Sequence, residues 1–204
     1  MHRLVRQGEA LTATSVHRRD EPFKLKNGNL SQLFVDLRIG HSNPRLMLET
    51  GRLIISAVPE HYAAAVGTGV DGGAVVSGVV FAAVEQERNI RGYRVSDAEN
   101  GPIAEQDPKN GRGFRQAWVK DSRVLIVEGT LTTGGSLETA VTLARDAGAL
   151  VTAAAVVVDR SGGQLDEVAK RLGTHPDTGK QLKIHALFQL DEENGLLVPA
   201  QRVE

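Results

Sequence analysis

Residues 123–136 limit the possible folds of this chain more strongly than any other segment. The segment opens with a continuous apolar run, Val124 to Val127, which is typical of a parallel strand covered on both faces. The residues after it include three glycines and four hydroxyl residues: Gly129, Thr130, Thr132, Thr133, Gly134, Gly135 and Ser136. A helix is predicted from about Ser136 to Ala147, with Gly148 at its end. Strand, turn and helix in this order indicate an α/β fold.

A turn of this composition suits a phosphate monoester. Backbone N–H groups in a glycine-rich turn point inward, and the N-terminus of the following helix adds partial positive charge. The alternative is an ordinary strand-to-helix turn with a Thr or Ser cap, which accounts for one glycine and one hydroxyl but not for the whole cluster. The lysine of a Walker A loop is absent, and the spacing is not that of GxGxxG.

Strands and helices alternate through the rest of the chain. Strands are predicted at 62–66, 90–95, 149–158 and 182–188, and helices in the stretch after a glycine turn up to Val84 and at 164–172. A further helix begins at Asn43-Pro44, with Asn as its N-cap, and ends at Pro59. This alternation predicts an α/β fold with a mostly parallel central sheet flanked by helices.

The N-terminal region is different. A short helix is predicted within residues 3–20, and residues 23–38 alternate apolar and polar side chains around Asn27-Gly28, a strong hairpin signal. We therefore expect two regions. Residues 1–40 form an N-terminal helix and a small hood, and residues 41–204 form the core.

Composition excludes several classes of protein. Lys and Arg number 24 against 25 Asp and Glu, so bulk positive charge for nucleic-acid binding is missing. The chain has no Cys, which excludes a disulfide scaffold, a Cys-based zinc site and a cysteine nucleophile. The first residues lack the apolar core of a secretory signal, and no stretch approaches the roughly 18 apolar residues that span a bilayer. A cytoplasmic location is expected.

The histidines and the single tryptophan are not predicted to be functional. The six histidines show no metal-ligand spacing. His185 is expected to pack within a strand, and His61 and His175 are expected on the surface. Trp118 is expected in the core.

Residues 96–115 form a long polar stretch without periodicity. Loops of this length inside a compact domain are usually lids, binding loops or disordered segments. We expect a flexible loop here. Its cations Lys109, Arg112 and Arg115 are interpreted as solvated loop charges, with a role at a substrate as the alternative.

Four stretches, in order along the chain, resemble one family. Residues 124–136 resemble the phosphoribosyl-diphosphate (PRPP) motif of type I phosphoribosyltransferases, where an apolar strand ends in two acidic residues before a Thr-Thr-Gly-Gly-Ser type loop. Residues 23–38 are similar to the orotate phosphoribosyltransferase stretch Phe-x-Leu-x-Ser-Gly-x-x-Ser-Pro-x-Tyr-x-Asp-x-Arg. Residues 156–163 resemble that family's later strand, which ends in Asp-Arg, and residues 187–191 resemble its C-terminus. The resemblance implies the type I phosphoribosyltransferase fold.

The resemblance also implies an activity and its partners. The expected reaction is transfer of 5-phosphoribosyl from PRPP to a pyrimidine base, orotate by default, with release of diphosphate, as in pyrimidine biosynthesis. Mg²⁺ is the expected cofactor. A homodimer is expected because the family's loop closes over the partner subunit's site.

Individual roles follow from the same resemblance. The 5′-phosphate would be held by Thr130, Thr132, Thr133, Gly134, Gly135 and Ser136. Glu128 would hold the ribose hydroxyls, directly or through Mg²⁺, and Lys26 and Arg94 would act as catalytic cations. Phe34 would stack on the base, and Arg160 would pair with an acidic group on it. The diphosphate loop would be Thr68, Gly69, Val70, Asp71 and Gly72.

Three departures from the family pattern weaken the prediction of catalysis. The second acidic residue of the motif is Gly129 here, which should weaken stabilisation of positive charge at C1 of the ribose. Asp71 stands where the family often carries a Lys, and the loop after Arg94 lacks the family's Lys-Glu. The alternative function is therefore a catalytically impaired protein of this fold that binds PRPP or a nucleotide monophosphate in a regulatory role.

Overall fold

The computed structural model describes residues 2–25, 28–95, 97–98, 101–102, 120–175 and 178–200. Within these ranges the helices are α1 (His2–Ser15), α2 (Leu37–His41), α3 (Pro44–Ala57), α4 (Gly69–Val84), α5 (Gly135–Asp146) and α6 (Leu165–Leu172). The strands are β1 (Val16–Lys24), β2 (Leu30–Val35), β3 (Ala64–Thr68), β4 (Arg91–Val95), β5 (Asp97–Ala98), β6 (Gly101–Pro102), β7 (Arg123–Leu131), β8 (Leu150–Asp159), β9 (Lys183–Asp191) and β10 (Leu196–Pro199).

Six of these strands form the central sheet, in the order β10-β9-β8-β7-β3-β4. All neighbours in it are parallel except β9 and β10, which are antiparallel. The predicted α/β fold with a mostly parallel sheet is confirmed. Because β3, β7 and β8 run in one direction, their carboxyl ends meet at the same edge, where α/β proteins bind ligands.

Helices cover both faces of the sheet. On one face Leu125 and Val127 of β7 belong to a buried cluster with residues of α3 and α4, such as Ile54 and Val79. On the other face Val124 and Ile126 join a second cluster with residues of α5 and α6. Since alternate residues of a strand point to opposite faces, the continuous apolar run of β7 follows from this double burial.

Several helix and strand boundaries in the structure differ from the predicted ones. The first helix ends at Ser15, and residues 16–24 are already a strand. The predicted glycine turn after β3 is wrong, because α4 begins at Gly69 directly after β3 and its glycines lie in the first helical turn. The strand β7 continues through Glu128 to Leu131, so the turn before α5 is shorter than predicted. The predicted N-cap of α3 is confirmed, with Asn43 Oδ1 accepting from the backbone N–H of Arg45 at 3.0 Å.

The N-terminal hairpin pairs β1 with β2, as predicted. Its turn residue Gly28 has φ 88°, and Asn27 lies outside the described residues. Leu11 and Leu33 of the N-terminal region belong to the same buried cluster as α3 and α4, so this region packs on the core. The division at residue 40 stays a prediction, and the predicted loop at 96–115 and Trp118 fall almost entirely outside the described residues.

None of the helices in the described ranges combines the length and the apolar character that crossing a membrane requires.

Candidate active site

A cavity of about 750 Å³ opens at the edge of the sheet where β3 and β7 end. Its volume is typical of small-molecule sites. The turn after β7, the first turn of α4, the hairpin β1–β2 and the end of β8 contribute its walls. The lining residues are Phe23, Lys24, Leu25, Phe34, Val35, Asp36, Arg38, Thr68, Gly69, Asp71, Glu128, Thr130, Leu131, Thr132, Thr133, Gly134, Gly135, Ser136, Thr139 and Arg160.

All six residues predicted to hold a phosphate line this cavity. Gly134, the residue before α5, has φ 84° and offers the helix no side-chain cap. The N–H groups at the start of α5 therefore lie at the cavity without a side-chain cap, at the positive end of the helix dipole, an arrangement that suits a phosphate group. This geometry suits the predicted phosphate site, which we call the phosphate cup (Thr130 and residues 132–136).

Helix α6 packs against the turn that precedes α5. Arg171 Nη2 donates to the carbonyl oxygen of Thr133 at 2.6 Å. A Cβ placed on Gly134 would lie 2.6 Å from Cγ1 of Val168, closer than nonbonded carbon atoms approach each other. Both the left-handed backbone and the close approach of α6 thus require glycine at this position.

Two buried hydroxyls at the cavity have no hydrogen-bond partner among the described residues. They are Oγ1 of Thr68, at the end of β3, and Oγ1 of Thr130, near the end of β7. Buried polar atoms in proteins are nearly always paired with protein, water or ligand. Both residues line the cavity, so these two hydroxyls lie next to the space that a polar ligand or water would occupy.

Three carboxylates line the cavity. Glu128 lies half-buried on β7 and lines the cavity. Asp36 accepts from Arg38 through Nε at 2.7 Å and Nη2 at 2.6 Å, and these hydrogen bonds keep the pKa of Asp36 below its ordinary value. Asp71 lies in the first turn of α4, 3.9 Å from Nε of Arg38. Burial, followed by the negative charge of Asp36, raises the pKa of Asp71 above its ordinary value.

The residues of the predicted diphosphate loop do not all face the cavity. Thr68, Gly69 and Asp71 line the cavity. Gly72 packs between β3 and β7 instead, since a Cβ on it would lie 3.0 Å from the carbonyl carbon of Gly67. The side chain of Val70 lies outside the described set.

Of the two predicted catalytic cations, the structure describes only Arg94, which does not line the cavity. Lys26 lies outside the described residues. Arg94 lies on β4 beside a shallow pocket of about 400 Å³ formed with α4, and its Cδ would be 2.9 Å from a Cβ on Gly73. The cavity instead contains Lys24 and Arg38, to which the sequence analysis gave no role. Lys24 could have been found from its place beside Phe23 at the end of β1, since both residues line the cavity.

Phe34 lines the cavity and packs edge-to-face with Phe23, with the ring centres 5.6 Å apart. The guanidinium of Arg19 lies over both rings, at 5.2 Å from the centre of Phe34. These contacts hold the Phe34 ring in place at the cavity wall.

Arg160 also lines the cavity, but its side chain is only 3% exposed and already bonded. Its Nε and Nη2 donate to Oε1 of Glu192 at 2.9 and 2.7 Å. Nη2 also donates to Oγ of Ser31 and Nη1 to the carbonyl oxygen of Leu33, both at 3.1 Å. Glu192 would therefore compete with a ligand carboxylate for Nε and Nη2 of this guanidinium.

The described residues contain no group of three or more His, Asp or Glu side chains placed to hold a metal ion. Mg²⁺ in phosphate enzymes is usually bound by one or two carboxylates together with substrate phosphates and water. Glu128 and Asp71 at the cavity wall fit that arrangement, in which the ion arrives with a diphosphate.

The histidine predictions are mixed. His61 is exposed and His185 is half-buried within β9, as expected. The prediction for His175 is wrong, because it is 3% exposed and its Nε2 lies 3.1 Å from the carbonyl oxygen of Ala149. His41 is buried against Thr50, and the sequence gave no local signal for this long-range contact.

Comparison with known proteins agrees with this geometry. The profile of the phosphoribosyl transferase domain family matches residues 89–192. The orotate phosphoribosyltransferase of Pyrococcus furiosus is 31% identical over 149 residues, which are 72% of this chain and 77% of that protein. That of Streptomyces avermitilis is 47% identical over 55 residues, 27% of this chain, and the match spans only 30% of that relative's length.

A solved structure is also similar. Orotate phosphoribosyltransferase of Mycobacterium tuberculosis H37Rv in complex with PRPP superposes with a TM-score of 0.66 at 23% identity, covering 94% of this chain and 92% of that one. This similarity extends the shared fold to almost the whole chain. With the family profile and the P. furiosus relative, it shows that the chain belongs to the type I phosphoribosyltransferase family.

Proposed function

We propose that this protein transfers the 5-phosphoribosyl group of PRPP to a pyrimidine base, with orotate as the first candidate, and releases diphosphate. The observation that carries the proposal is the cavity in which the Thr132–Ser136 turn, Glu128 and the first turn of α4 face one another. A phosphate cup, an acid for the ribose hydroxyls and a helix N-terminus for a second phosphate group together match the shape of PRPP. The family membership and the relatives named orotate phosphoribosyltransferases support it.

In this reaction the bond from C1 of the ribose to the diphosphate oxygen breaks, and a ring nitrogen of the base forms the new bond to C1. The turn before α5 anchors the 5′-phosphate, and Glu128 accepts hydrogen bonds from the ribose hydroxyls, so C1 is fixed relative to the base. Mg²⁺ bound to PRPP would neutralise the negative charge of the departing diphosphate. Carboxylates at the cavity wall stabilise positive charge that develops on the ribose ring.

The base would lie between the turn and the hairpin, against Phe34. An aromatic ring beside a flat heterocycle provides stacking. Arg160 is proposed to pair with the carboxylate of orotate, after Glu192 leaves it. A base without a carboxylate would leave the bond between Arg160 and Glu192 intact.

A second function, binding of PRPP or a nucleotide monophosphate without turnover, is favoured by one observation. Arg94, which the resemblance assigns to catalysis, does not line the described cavity. The phosphate cup alone would be sufficient for a binding protein.

One assay separates the two functions. Purified protein, PRPP and Mg²⁺ are incubated with orotate, uracil and a panel of other bases, and release of diphosphate is followed together with formation of the nucleotide. Base-dependent diphosphate release supports the enzyme. Absence of turnover with every base, combined with calorimetric binding of PRPP or a nucleotide monophosphate, supports the binding protein.

The phosphate cup has its own control. Ser136→Ala and Thr132→Val should weaken binding of ribose 5-phosphate, because each removes a hydroxyl from the cavity wall. Thr178→Val alters an exposed threonine remote from the cavity and should leave binding unchanged. If all three variants bind equally well, the phosphate group does not occupy this turn.

A further inference from the structure

The space beside Gly129, where the motif has its second acidic residue, is occupied by the side chain of Asp71. A Cβ placed on Gly129 would lie 2.6 Å from Cβ and 3.5 Å from Cγ of Asp71. It would also meet Cδ1 of Leu37 at 3.4 Å. Nonbonded carbon atoms do not approach to 2.6 Å, so a side chain at 129 and the present side chain at 71 exclude each other.

The two alternatives place a carboxylate in the same region. An aspartate at 129 would carry its carboxyl carbon about 1.5 Å beyond Cβ, a single-bond length. The carboxyl carbon of Asp71 is 3.5 Å from that Cβ, so the two groups would lie within about 5 Å of each other. Coulomb energy falls as the inverse of distance, so either carboxylate can act on a positive centre that lies between the two positions.

We propose that Asp71 supplies, from the first turn of α4, the second carboxylate of the ribose site that the resembling motif places at position 129. The inference rests on the proposed function and assigns to Asp71 a positioning and charge-stabilising role in it. Asp71 is therefore not a repulsive substitute for a diphosphate-binding lysine, and Gly129 is not a loss of the site but the space that Asp71 requires.

The other acids at the cavity do not serve equally well. Both carboxylate oxygens of Asp36 accept hydrogen bonds from Arg38, at 2.6 to 3.1 Å, so its charge is already paired. Asp71 stands 3.9 Å from the same guanidinium, beyond hydrogen-bond distance, and its side chain is 29% exposed towards the cavity it lines. Arg38 thus orients the Asp71 carboxylate without neutralising it as closely.

The test is an exchange of the carboxylate between the two positions. Asp71→Gly removes the acid, Gly129→Asp alone introduces the overlap, and the double variant Asp71→Gly/Gly129→Asp restores the arrangement of the motif. Gly is needed at 71, since the overlap begins at Cβ and Ala would retain it. Asp71→Asn keeps the shape and removes only the charge. Asp146→Asn, on the exposed end of α5, is the matched control.

Two quantities are measured for each folded variant: the dissociation constant of PRPP with Mg²⁺ by calorimetry, and kcat for diphosphate release. We expect Asp71→Asn and Asp71→Gly to lose about 10-fold to 100-fold in PRPP affinity or kcat, as for removal of a charged hydrogen-bonding group. Binding of inorganic phosphate should change less than about 2-fold in these variants, because the cup before α5 remains intact. The double variant should recover at least about 10-fold over Asp71→Gly.

The inference is overturned if Asp71→Asn keeps PRPP affinity and kcat, or if the double variant is no better than Asp71→Gly. If the double variant fails to fold, the comparison of Asp71→Asn with Asp146→Asn still decides. A wild-type protein that binds PRPP but turns over no base contradicts the proposed function and leaves the PRPP affinities to test Asp71. A wild-type protein that binds no PRPP overturns both.

Discussion

Two guanidinium nitrogens of Arg160, Nε and Nη2, donate to the same carboxylate oxygen of Glu192, Oε1, at 2.9 and 2.7 Å. The arginine is almost fully buried, whereas the glutamate is half exposed, at 52%. Glu192 can therefore leave into solvent, while Arg160 cannot. This asymmetry makes Glu192 a competitor for any ligand carboxylate that reaches Arg160.

Glu192→Gln should favour acidic bases selectively. Removing the negative charge weakens the competitor without removing its hydrogen-bonding oxygen. We expect affinity for orotidine 5′-monophosphate to rise about 3-fold to 10-fold, and that for uridine 5′-monophosphate to stay within about 2-fold. Calorimetry measures both. Glu193→Gln changes an exposed neighbour and is the control. Equal changes for the two nucleotides would show that Arg160 does not select a carboxylate.

Gly134→Ala should damage both the turn and its ligand binding. The added methyl group faces a φ of 84° and overlaps Val168. We expect a loss of about 1–3 kcal/mol in the free energy of unfolding and at least about 10-fold in affinity for ribose 5-phosphate. Urea unfolding and calorimetry measure these quantities.

Gly179→Ala serves as the control for Gly134→Ala. Gly179 also has positive φ, 61°, but nothing lies within 4 Å of an added Cβ. The Gly179→Ala substitution should lower the free energy of unfolding by about 1 kcal/mol and leave the affinity for ribose 5-phosphate unchanged. Normal binding by Gly134→Ala would argue against the phosphate cup.

Thr130→Val should separate stability from binding. The Thr130 hydroxyl is buried without a partner among the described residues, so its removal should leave the free energy of unfolding unchanged or raise it by about 1 kcal/mol. Affinity for PRPP should fall about 5-fold to 10-fold if a ligand completes this hydroxyl.

Thr50→Val gives the opposite result in the same experiment. Thr50 Oγ1 is hydrogen-bonded to Gln7, His41 and the carbonyl oxygen of Leu46, at 2.9 to 3.1 Å. We expect it to lose about 1–3 kcal/mol of stability with unchanged PRPP affinity. A large loss of stability in Thr130→Val would show that this hydroxyl has a hydrogen-bond partner within the folded protein.

His41 should make the protein less stable in mild acid. Burial lowers the pKa of His41 from 6.5 to about 4, so the unfolded chain binds a proton that the folded chain does not. Burial of neutral His41 therefore makes its full contribution to the free energy of unfolding above pH 6.5. This contribution, up to about 3 kcal/mol, is lost as the pH falls towards 4. Urea unfolding between pH 7.5 and about 4.5 measures this change in the free energy of unfolding.

His41→Gln should reduce that pH dependence. His61→Gln, which alters an exposed histidine, should retain the wild-type slope. An identical slope in all three proteins would mean that His41 is protonated in the folded state as readily as in the unfolded one.

The sequence predicted the parts of the site that depend on one continuous segment. The run from Val124 to Ser136 predicted a buried strand, a turn and a helix, since an apolar run, glycines and a helix start are local signals. The family resemblance, carried by four such segments, was confirmed with the fold. Misplaced boundaries, such as the start of α4 at Gly69, arose where glycines usually mark turns but here allow helix and sheet to approach closely.

Other features depend on contacts between distant segments, and local patterns do not encode them. The sequence alone showed that an acid was missing at 129 and that an acid was present at 71, but only packing of α4 against β7 shows that one occupies the space of the other. Likewise, Arg160 was predicted as a base-binding residue, and only the fold brings Glu192 to it. The sequence by itself thus determined the family and the alternation of strands and helices, including the glycine-rich turn before α5, because these arise from local periodicity and backbone preference. The tertiary structure decided which charges meet, because side-chain pairing depends on the three-dimensional packing of elements remote in the chain.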